Sequence, residues 1–537
     1  MKMKASKAFR CKNIYTAKSE NLIDGYVITE GNRILAVGDE AFSRNYIDSD
    51  TEIINIADGF IMPGIHDYHV HLMGGAMMER DGDLRTADSE EEAARMLAEK
   101  CGNKKQEWVL ANAWDHFRWP GCKLPDKKTL DKYFPDTPVF LLNKESHGAW
   151  VNSRLLEIFG ITRDTPDPKD GSYSRYDNGE PSGYLHEAAF FPVLDKIYRG
   201  LSDEEITGSI KAFQSKANRY GITSIGDVSM FGITYEKAYS KLDASDGLSV
   251  RIHFSKDIFS DIEAVRAAKR EYSGPMVRFD GVKGFIDGTP MGHSGYMLEP
   301  YSDMPNYRGA PLIEPDMLFK MVQELDREGI HIRIHACGDA GVRLCLDAFE
   351  NAVKMNGQRN LHHCIEHIEC TTPEDVSRFG KIGVIPSIQP DHMPKYNFAD
   401  HCFHTIIGEE RMKYCWPFKS LLDSAGALAY GSDFTVAPLM FTRGVWRAVH
   451  RTTDDGEPKG GWNPEERLTV HEALQSCTSG AALAAGRSND LGTIEAGKFA
   501  DLAIFDDNIF EIIDDRDKML DTEARMTVLD GKIVFQR

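Results

Sequence analysis

Apolar and polar positions alternate in short runs over the first sixty residues, in Lys12–Ala17, Gly25–Thr29, Arg33–Val37 and Glu52–Asn55. A period of two marks half-buried strands, and Gly31-Asn32 supplies hairpin-turn chemistry between the second and third runs. The same texture returns at the far end in Ala500–Phe505, Met526–Leu529 and Lys532–Phe535, with Asp530-Gly531 between the last two. Two β-rich ends around a long α/β middle predict one small β-sandwich-like domain built from residues 1–60 and 486–537.

Between these ends, apolar strand-like runs alternate with helical stretches, the pattern of a parallel βα architecture. Eight runs read as barrel strands: Ile61–Leu72, Ile222–Asp227, Val250–Phe254, Gly281–Ile286, His331–His335, His363–His367, Gly383–Ile388 and Leu428–Ser432. The fold class expected is therefore α/β, a (β/α)8 TIM-like barrel over 61–485. Residues 73–200 fall between the first and second strands and are rich in proline and glycine. With strand-like pieces at Trp108–Asn112 and Pro138–Asn143, they predict an inserted subdomain placed to cover the barrel mouth.

Composition narrows the function classes. The chain has 537 residues, 42% hydrophobic and 27% charged, which is ordinary for a globular protein of two or three structural units. A formal charge of −20 argues against a nucleic-acid or anionic-membrane surface, both of which need a positive field. Met1–Lys12 is basic with no apolar run behind it, and no stretch reaches membrane-spanning length. The ten cysteines form no CxxC pair, so free thiols in a cytoplasmic protein are expected.

Several strand ends carry unusual chemistry. In Pro63–His71, His69 and His71 are two apart and share a face, so two imidazoles can grip one ion; two polar strand residues is the plain alternative. Lys283 sits in the apolar run Gly281–Ile286, where lysine is rarely buried alone. It is either salt-bridged or converted by carbon dioxide to a metal-bridging carbamate. His335 ends the run Ile332-Arg333-Ile334, and His367 ends Ile365-Glu366; either could be a hydrogen-bonded structural residue. Asp433 follows Tyr430-Gly431-Ser432 and could equally cap a helix. All six lie near the C-terminal ends of predicted strands, where a barrel's active site converges. That shared position is hard to attribute to packing.

These motifs, with Gly221–Ile225, Gly338-Asp339 and Leu491–Leu502, resemble those of the amidohydrolase superfamily over nearly the whole chain, most closely the branch including N-substituted formamide deformylases. The resemblance implies metal ligands at His69, His71, His335 and His367, with Asp433 contacting both metal and the nucleophilic water and moving its proton. It implies a bridging carbamate at Lys283, or a one-metal site without it. His335 and His367 would then join Asp433 as catalytic residues. Zinc is the default metal, one or two per chain, with iron, manganese, cobalt or nickel also suited to such ligands.

The implied activity is hydrolysis of a C–N bond in an amide, N-acyl or N-formyl small molecule by metal-bound hydroxide. The alternatives are deamination, ester hydrolysis or isomerisation on the same scaffold, and a non-catalytic binding protein. Trp114, Asp115 and His147 in the insert, and Gln389 and His392 after the seventh strand, are the candidate substrate contacts. Trp114 could instead be insert core, and His392 a solvated loop residue. The family's usual Arg-x-Asp-Gly-His segment reads Asn143–His147 here and keeps only its histidine. A small-molecule substrate is the expected partner, with neither nucleic acid nor membrane. A homodimer is one open assembly.

Overall fold

The computed structural model describes residues 5–101, 107–144, 148–169, 171–228, 232–395 and 398–537. Its centre is an eight-stranded parallel sheet rolled into a barrel. In chain order the strands are β1 (Ile65–Val70), β2 (Ile222–Val228), β3 (Arg251–Asp257), β4 (Val277–Phe285), β5 (Ile332–Ala336), β6 (Cys364–His367), β7 (Ile385–Ile388) and β8 (Ala429–Tyr430). Each pairs with the next in parallel register.

The eighth strand nearly closes the ring onto the first. Asp433 N–H donates to the His69 carbonyl at 2.9 Å and His71 N–H to the Phe434 carbonyl at 2.8 Å. This approach requires Gly431, since a Cβ there would fall 2.3 Å from the Cβ of His69. The barrel thus joins the two ends of its own sheet at the residues singled out for chemistry.

The predicted run Ile61–Leu72 is not one strand. Glu52–Pro63 belongs to a second sheet, and the barrel strand begins at Ile65. Proline offers no N–H to continue a ladder, and Gly64 sits against Thr223, whose Oγ1 would lie 2.2 Å from a Cβ. The second sheet has seven strands, in the order 532–536, 526–529, 502–505, 52–63, 7–14, 23–30 and 33–39, so both chain ends contribute. Its first strand is Lys7–Ile14 rather than Lys12–Ala17. Strands β7 and β8 are also shorter than expected. Gly383, at φ 72°, still belongs to the helix end before β7, and the chain leaves the ladder after Tyr430.

The stretch between β1 and β2 holds a five-stranded sheet in the order 109–114, 139–143, 148–151, 181–187 and 171–175. Trp114, Trp119, Leu130, Leu141 and Trp150 give it an apolar cluster of its own. The following helix, Asp203–Arg219, starts at a Ser202/Glu205 capping box and buries Ile206, Ile210, Phe213 and Ala217, an i, i+4, i+7 stripe. Each such large apolar side chain is worth about 1.5–3 kcal/mol when buried. No described helix is long and apolar enough to cross a membrane.

Candidate metal centre

Strand alternation places His69 and His71 on one face of β1, at the C-terminal mouth of the barrel. His71 Nδ1 donates to the Val228 carbonyl at 3.1 Å, which leaves Nε2 as the lone-pair nitrogen, 3.1 Å from Asp433 Oδ1. His69 Nδ1 lies 2.8 Å from Glu366 Oε2, and its Nε2 lies 3.4 Å from the same Asp433 oxygen. A carboxylate can only accept, so the proton of His69 sits on Nδ1 and the lone pair on Nε2. Two free imidazole nitrogens therefore converge on one carboxylate oxygen.

The other oxygen of Asp433 faces a second pair. His392 Nε2 approaches Oδ2 at 3.4 Å, and its Nδ1 lies 3.3 Å from Glu369 Oε1. His367 stacks on His392 with ring centroids 5.4 Å apart and approaches His69 at 5.0 Å. Ligand atoms of His69, His71 and Asp433 lie within 4.8 Å of one another, and the same holds for His367, His392 and Asp433. His367 and Asp433 reach these positions through left-handed backbone, at φ 75° and 55°. Such non-glycine geometry costs about 1–3 kcal/mol and concentrates at functional sites.

The electrostatics suit a cation. Burial pulls His69 down to about 4 and holds His367 well below the usual imidazole value, so both are neutral imidazoles, the form a metal requires. Burial alone would raise Asp433, but His69, His392 and His71 hold it well below the usual carboxylate range. His392 runs the other way: burial pulls it down, yet its contacts with Asp433 and Glu369 outweigh this and raise it to about 9, so here it is the imidazolium partner of the two carboxylates. Buried His367 Nδ1, Asp433 Oδ1 and Lys283 Nζ make no hydrogen bond. Orphan polar atoms of these types, gathered at one place, fit a metal ion.

The remaining candidates divide. Lys283 is 1% exposed, and burial lowers it to about 8, with Glu366 opposing and Arg333 assisting. His335 packs on His367 at a centroid distance of 4.4 Å, but its Nε2 donates to the Gly288 carbonyl at 3.2 Å. Gln389 is buried, with Nε2 3.3 Å from Ser387 Oγ and Oε1 unpartnered. Trp114 takes the insert-core alternative: it is fully buried among Trp119, Trp150 and Tyr184, and its indole N–H donates to the Leu141 carbonyl, inside the insert. Asp115 pairs with Lys144 at 3.3 Å. His147 lies outside the described residues.

Three residues beneath and beside the histidines carry no role in the sequence reading. Glu366 is fully buried between His69 and Arg333, whose Nε donates to Oε1 at 2.7 Å and whose Nη2 donates to the Tyr68 carbonyl at 2.6 Å. Glu369 backs His392. An arginine at the centre of an apolar strand is the one signal that a buried carboxylate was needed nearby. A narrow cavity of about 20 Å³, room for one water, lies against His71, Tyr198, Asp227, Ile233 and Tyr235.

Residues 52–535 match the model of the amidohydrolase family. The chain is 29% identical to the protein LONG AFTER FAR-RED 3 of Arabidopsis thaliana, covering 97% of this chain and 90% of that one. It is 25% identical to an N-substituted formamide deformylase of Arthrobacter pascens, over 98% and 97% of the two chains. Among solved structures, an uncharacterized metal-dependent hydrolase of Pyrococcus horikoshii OT3 superposes with a TM-score of 0.78 at 25% identity, covering 94% of this chain and 98% of that one. A histidine–carboxylate cluster at the barrel mouth and a family match over nine-tenths of the sequence agree: the chain belongs to the amidohydrolase family of metal-dependent hydrolases.

Proposed function

We propose that the protein hydrolyses a C–N bond, amide, N-acyl or N-formyl, in a small molecule. The observation that carries this reading is the Asp433 carboxylate, with one oxygen turned to His69 and His71 and the other to His392. His69, His71 and Asp433 would hold the metal, with zinc the first choice for nitrogen and carboxylate donors. When bound, it supplies Lewis acidity that polarises a carbonyl and eases the ionisation of water.

The chain's own residues do the rest. His69 and His71 present fixed lone pairs because Glu366 and the Val228 carbonyl hold their Nδ1 protons. Asp433, kept ionised by its neighbours, accepts the proton of water and returns it to the departing nitrogen, which leaves poorly unless protonated. The buried, unpartnered Lys283 amine, lowered to about 8, is available near neutrality to add carbon dioxide, forming a carbamate and releasing one proton. Likeness to a formamide deformylase along the chain favours N-formyl amines as the first substrates to try.

The test is a panel of N-formyl amines, amides, esters and imines with wild type and Asp433→Asn. Because Asp433 is also a would-be ligand, the variant is compared at saturating metal, where it loses turnover by about 10²–10⁴-fold. Full turnover in Asp433→Asn removes the proton-transfer role. Activity confined to esters or imines transfers the protein to the ester-hydrolysis or deamination reading.

A further inference from the structure

The turn that follows β7 is tied down along its whole length. Arg447, fully buried on the helix Phe441–His450, donates from Nε to the Pro390 carbonyl at 3.1 Å and from Nη2 to the Met393 and Pro394 carbonyls, each at 2.7 Å. Asp454 N–H donates to the Lys395 carbonyl at 2.8 Å. These bonds fix the backbone of residues 390–395, with His392 set against Asp433 and Lys395 at the far end.

The charges around this turn do not balance. Arg443 Nε lies 2.6 Å from Asp391 Oδ1 and its Nη2 2.7 Å from Asp454 Oδ2, while Arg447 Nη1 lies 3.2 Å from Asp454 Oδ1. From the insert, Lys144 is matched by Asp115 at 3.3 Å. Two arginines thus share two aspartates and one lysine has its own. Lys395 is the cation left over: among the described residues no group bonds its amine, and the spare Asp391 oxygen, Oδ2, stays unbonded. Unlike the sealed amine of Lys283, that of Lys395 is not closed off, and its side chain is partly exposed. Burial lowers Lys395 to about 7, with Asp391 opposing and Lys144, Arg443 and Arg447 assisting. An anion beside the amine would relieve this crowding of like charge.

The unmatched charge lies beside the reacting centre. His392, on the same turn, reaches Asp433, and the three residues from there to Lys395 span at most about 11 Å. The insert that carries Lys144 borders Asp433 as well, since Arg85 Nη2 donates to the Thr435 carbonyl at 2.8 Å. Lys395 and Lys144 therefore come from two elements that both flank the Asp433 carboxylate.

We propose that Lys395 binds a carboxylate of the substrate, and that the compounds hydrolysed carry this group on a short linker from the scissile C–N bond. The inference rests on the C–N hydrolase reading and specifies its substrate class and a specificity-determining residue. One unmatched ammonium suits one negative charge, which favours a carboxylate over a phosphate, whose charge at neutral pH is nearer two. The clamp by Arg447 and Asp454 holds the turn before substrate arrives, so little order has to be gained on binding.

The experiment measures kcat and KM on zinc-supplied full-length protein for a homologous series, formamidoacetate to 5-formamidopentanoate, each against its own uncharged carboxamide. Wild type should prefer the carboxylates. Lys395→Met should lower that preference at least about tenfold, mainly by raising KM, Lys395→Arg should keep most of it, and Lys395→Glu should invert it. An unchanged preference in Lys395→Met overturns the assignment. Wild type that hydrolyses the carboxamides as well as the carboxylates, or better, also overturns it and leaves the hydrolase reading standing. If no member of the series is turned over, the C–N reading falls, and calorimetric binding of 4-formamidobutanoate against 4-formamidobutanamide tests the anion site alone. Carboxylate-selective binding lost in Lys395→Met then upholds the site, and equal binding or none overturns it. If Lys395→Met fails to fold, Lys395→Gln takes its place with the same outcomes.

Discussion

Replacing Glu366 by glutamine changes one atom in a place where both carboxylate oxygens are committed. Oε1 accepts from Arg333 Nε at 2.7 Å and Oε2 from His69 Nδ1 at 2.8 Å, with all three side chains buried. An amide has one acceptor and one donor end, so it must turn its NH2 toward one of two donors. Arginine cannot change its protonation, whereas histidine can shift its proton between nitrogens. The amide oxygen therefore stays with Arg333, and the NH2 faces His69, which accepts at Nδ1 and carries its proton on Nε2. That proton occupies the lone pair aimed at Asp433. Restoring the ligand tautomer would then set two donors against each other without water to relieve them. A supporting carboxylate of this kind is worth about 10–100-fold in metal affinity, or about 1.4–2.7 kcal/mol. We expect Glu366→Gln to fold, to bind Zn2+ 10–100-fold more weakly in competition with a chromophoric chelator, and to lose turnover at limiting metal while recovering much of it at saturating metal. A Zn2+ affinity within twofold of wild type would refute the tautomer argument.

Three other outcomes follow from the same contacts. Arg251 is fully buried and bidentate to Asp501 at 2.7 and 2.9 Å, with Asp530 at 2.7 Å as a second partner. Asp501→Ala should cost about 3 kcal/mol, the low end for a broken buried pair, and lower Tm by about 3 °C for a chain of this size; a shift under half a degree by calorimetry would contradict this. Burial pulls His331 down, but its hydrogen bonds to Asp280 and Cys364 outweigh this and raise it to about 10. The folded state then binds a proton that the unfolded state has released above about 6.5, so this contribution is full at lower pH and fades as pH rises toward 10. His331→Gln should flatten the decline of Tm between pH 7 and 9; an unchanged slope would show that another group sets it. Lys283→Met should leave the fold stable, since it removes a buried amine without a hydrogen bond, while turnover loses any dependence on added bicarbonate.

The gathering of His69, His71 and Asp433 at the barrel mouth was legible because the period of two in β1 and the position of Asp433 after β8 survive folding unchanged. The barrel followed from alternation of apolar runs with helices. Its first strand did not, because the break at Pro63-Gly64 depends on Thr223, which is distant in sequence. For Trp114 the two readings, substrate contact or insert core, stayed open because alternation along a strand says which residues share a face but not which of two apolar faces is the insert's own core. The contact between Glu369 and His392 was not legible. It depends on the left-handed turn at His367 and Ile368, φ 75° and 49°, which ends the strand alternation just before Glu369. Glu366 lay inside a quoted motif, yet its role became visible only once Arg333 and His69 were seen on either side of it.

The seven-stranded sheet has a consequence for how the protein is made. Strand 52–63 lies between strand 7–14, which emerges from the ribosome before it, and strand 502–505, about 440 residues later. At typical synthesis rates the later partner arrives roughly 20–90 s after the earlier one. Throughout that interval one edge of the sheet, carrying Phe60, Ile61 and Met62, has no chain to pair with, and open apolar edges recruit other molecules. The nascent protein thus passes through a vulnerable stage whose length is set by the barrel translated in between. Yield should respond to temperature and chaperone supply during translation more than to the stability of the finished fold.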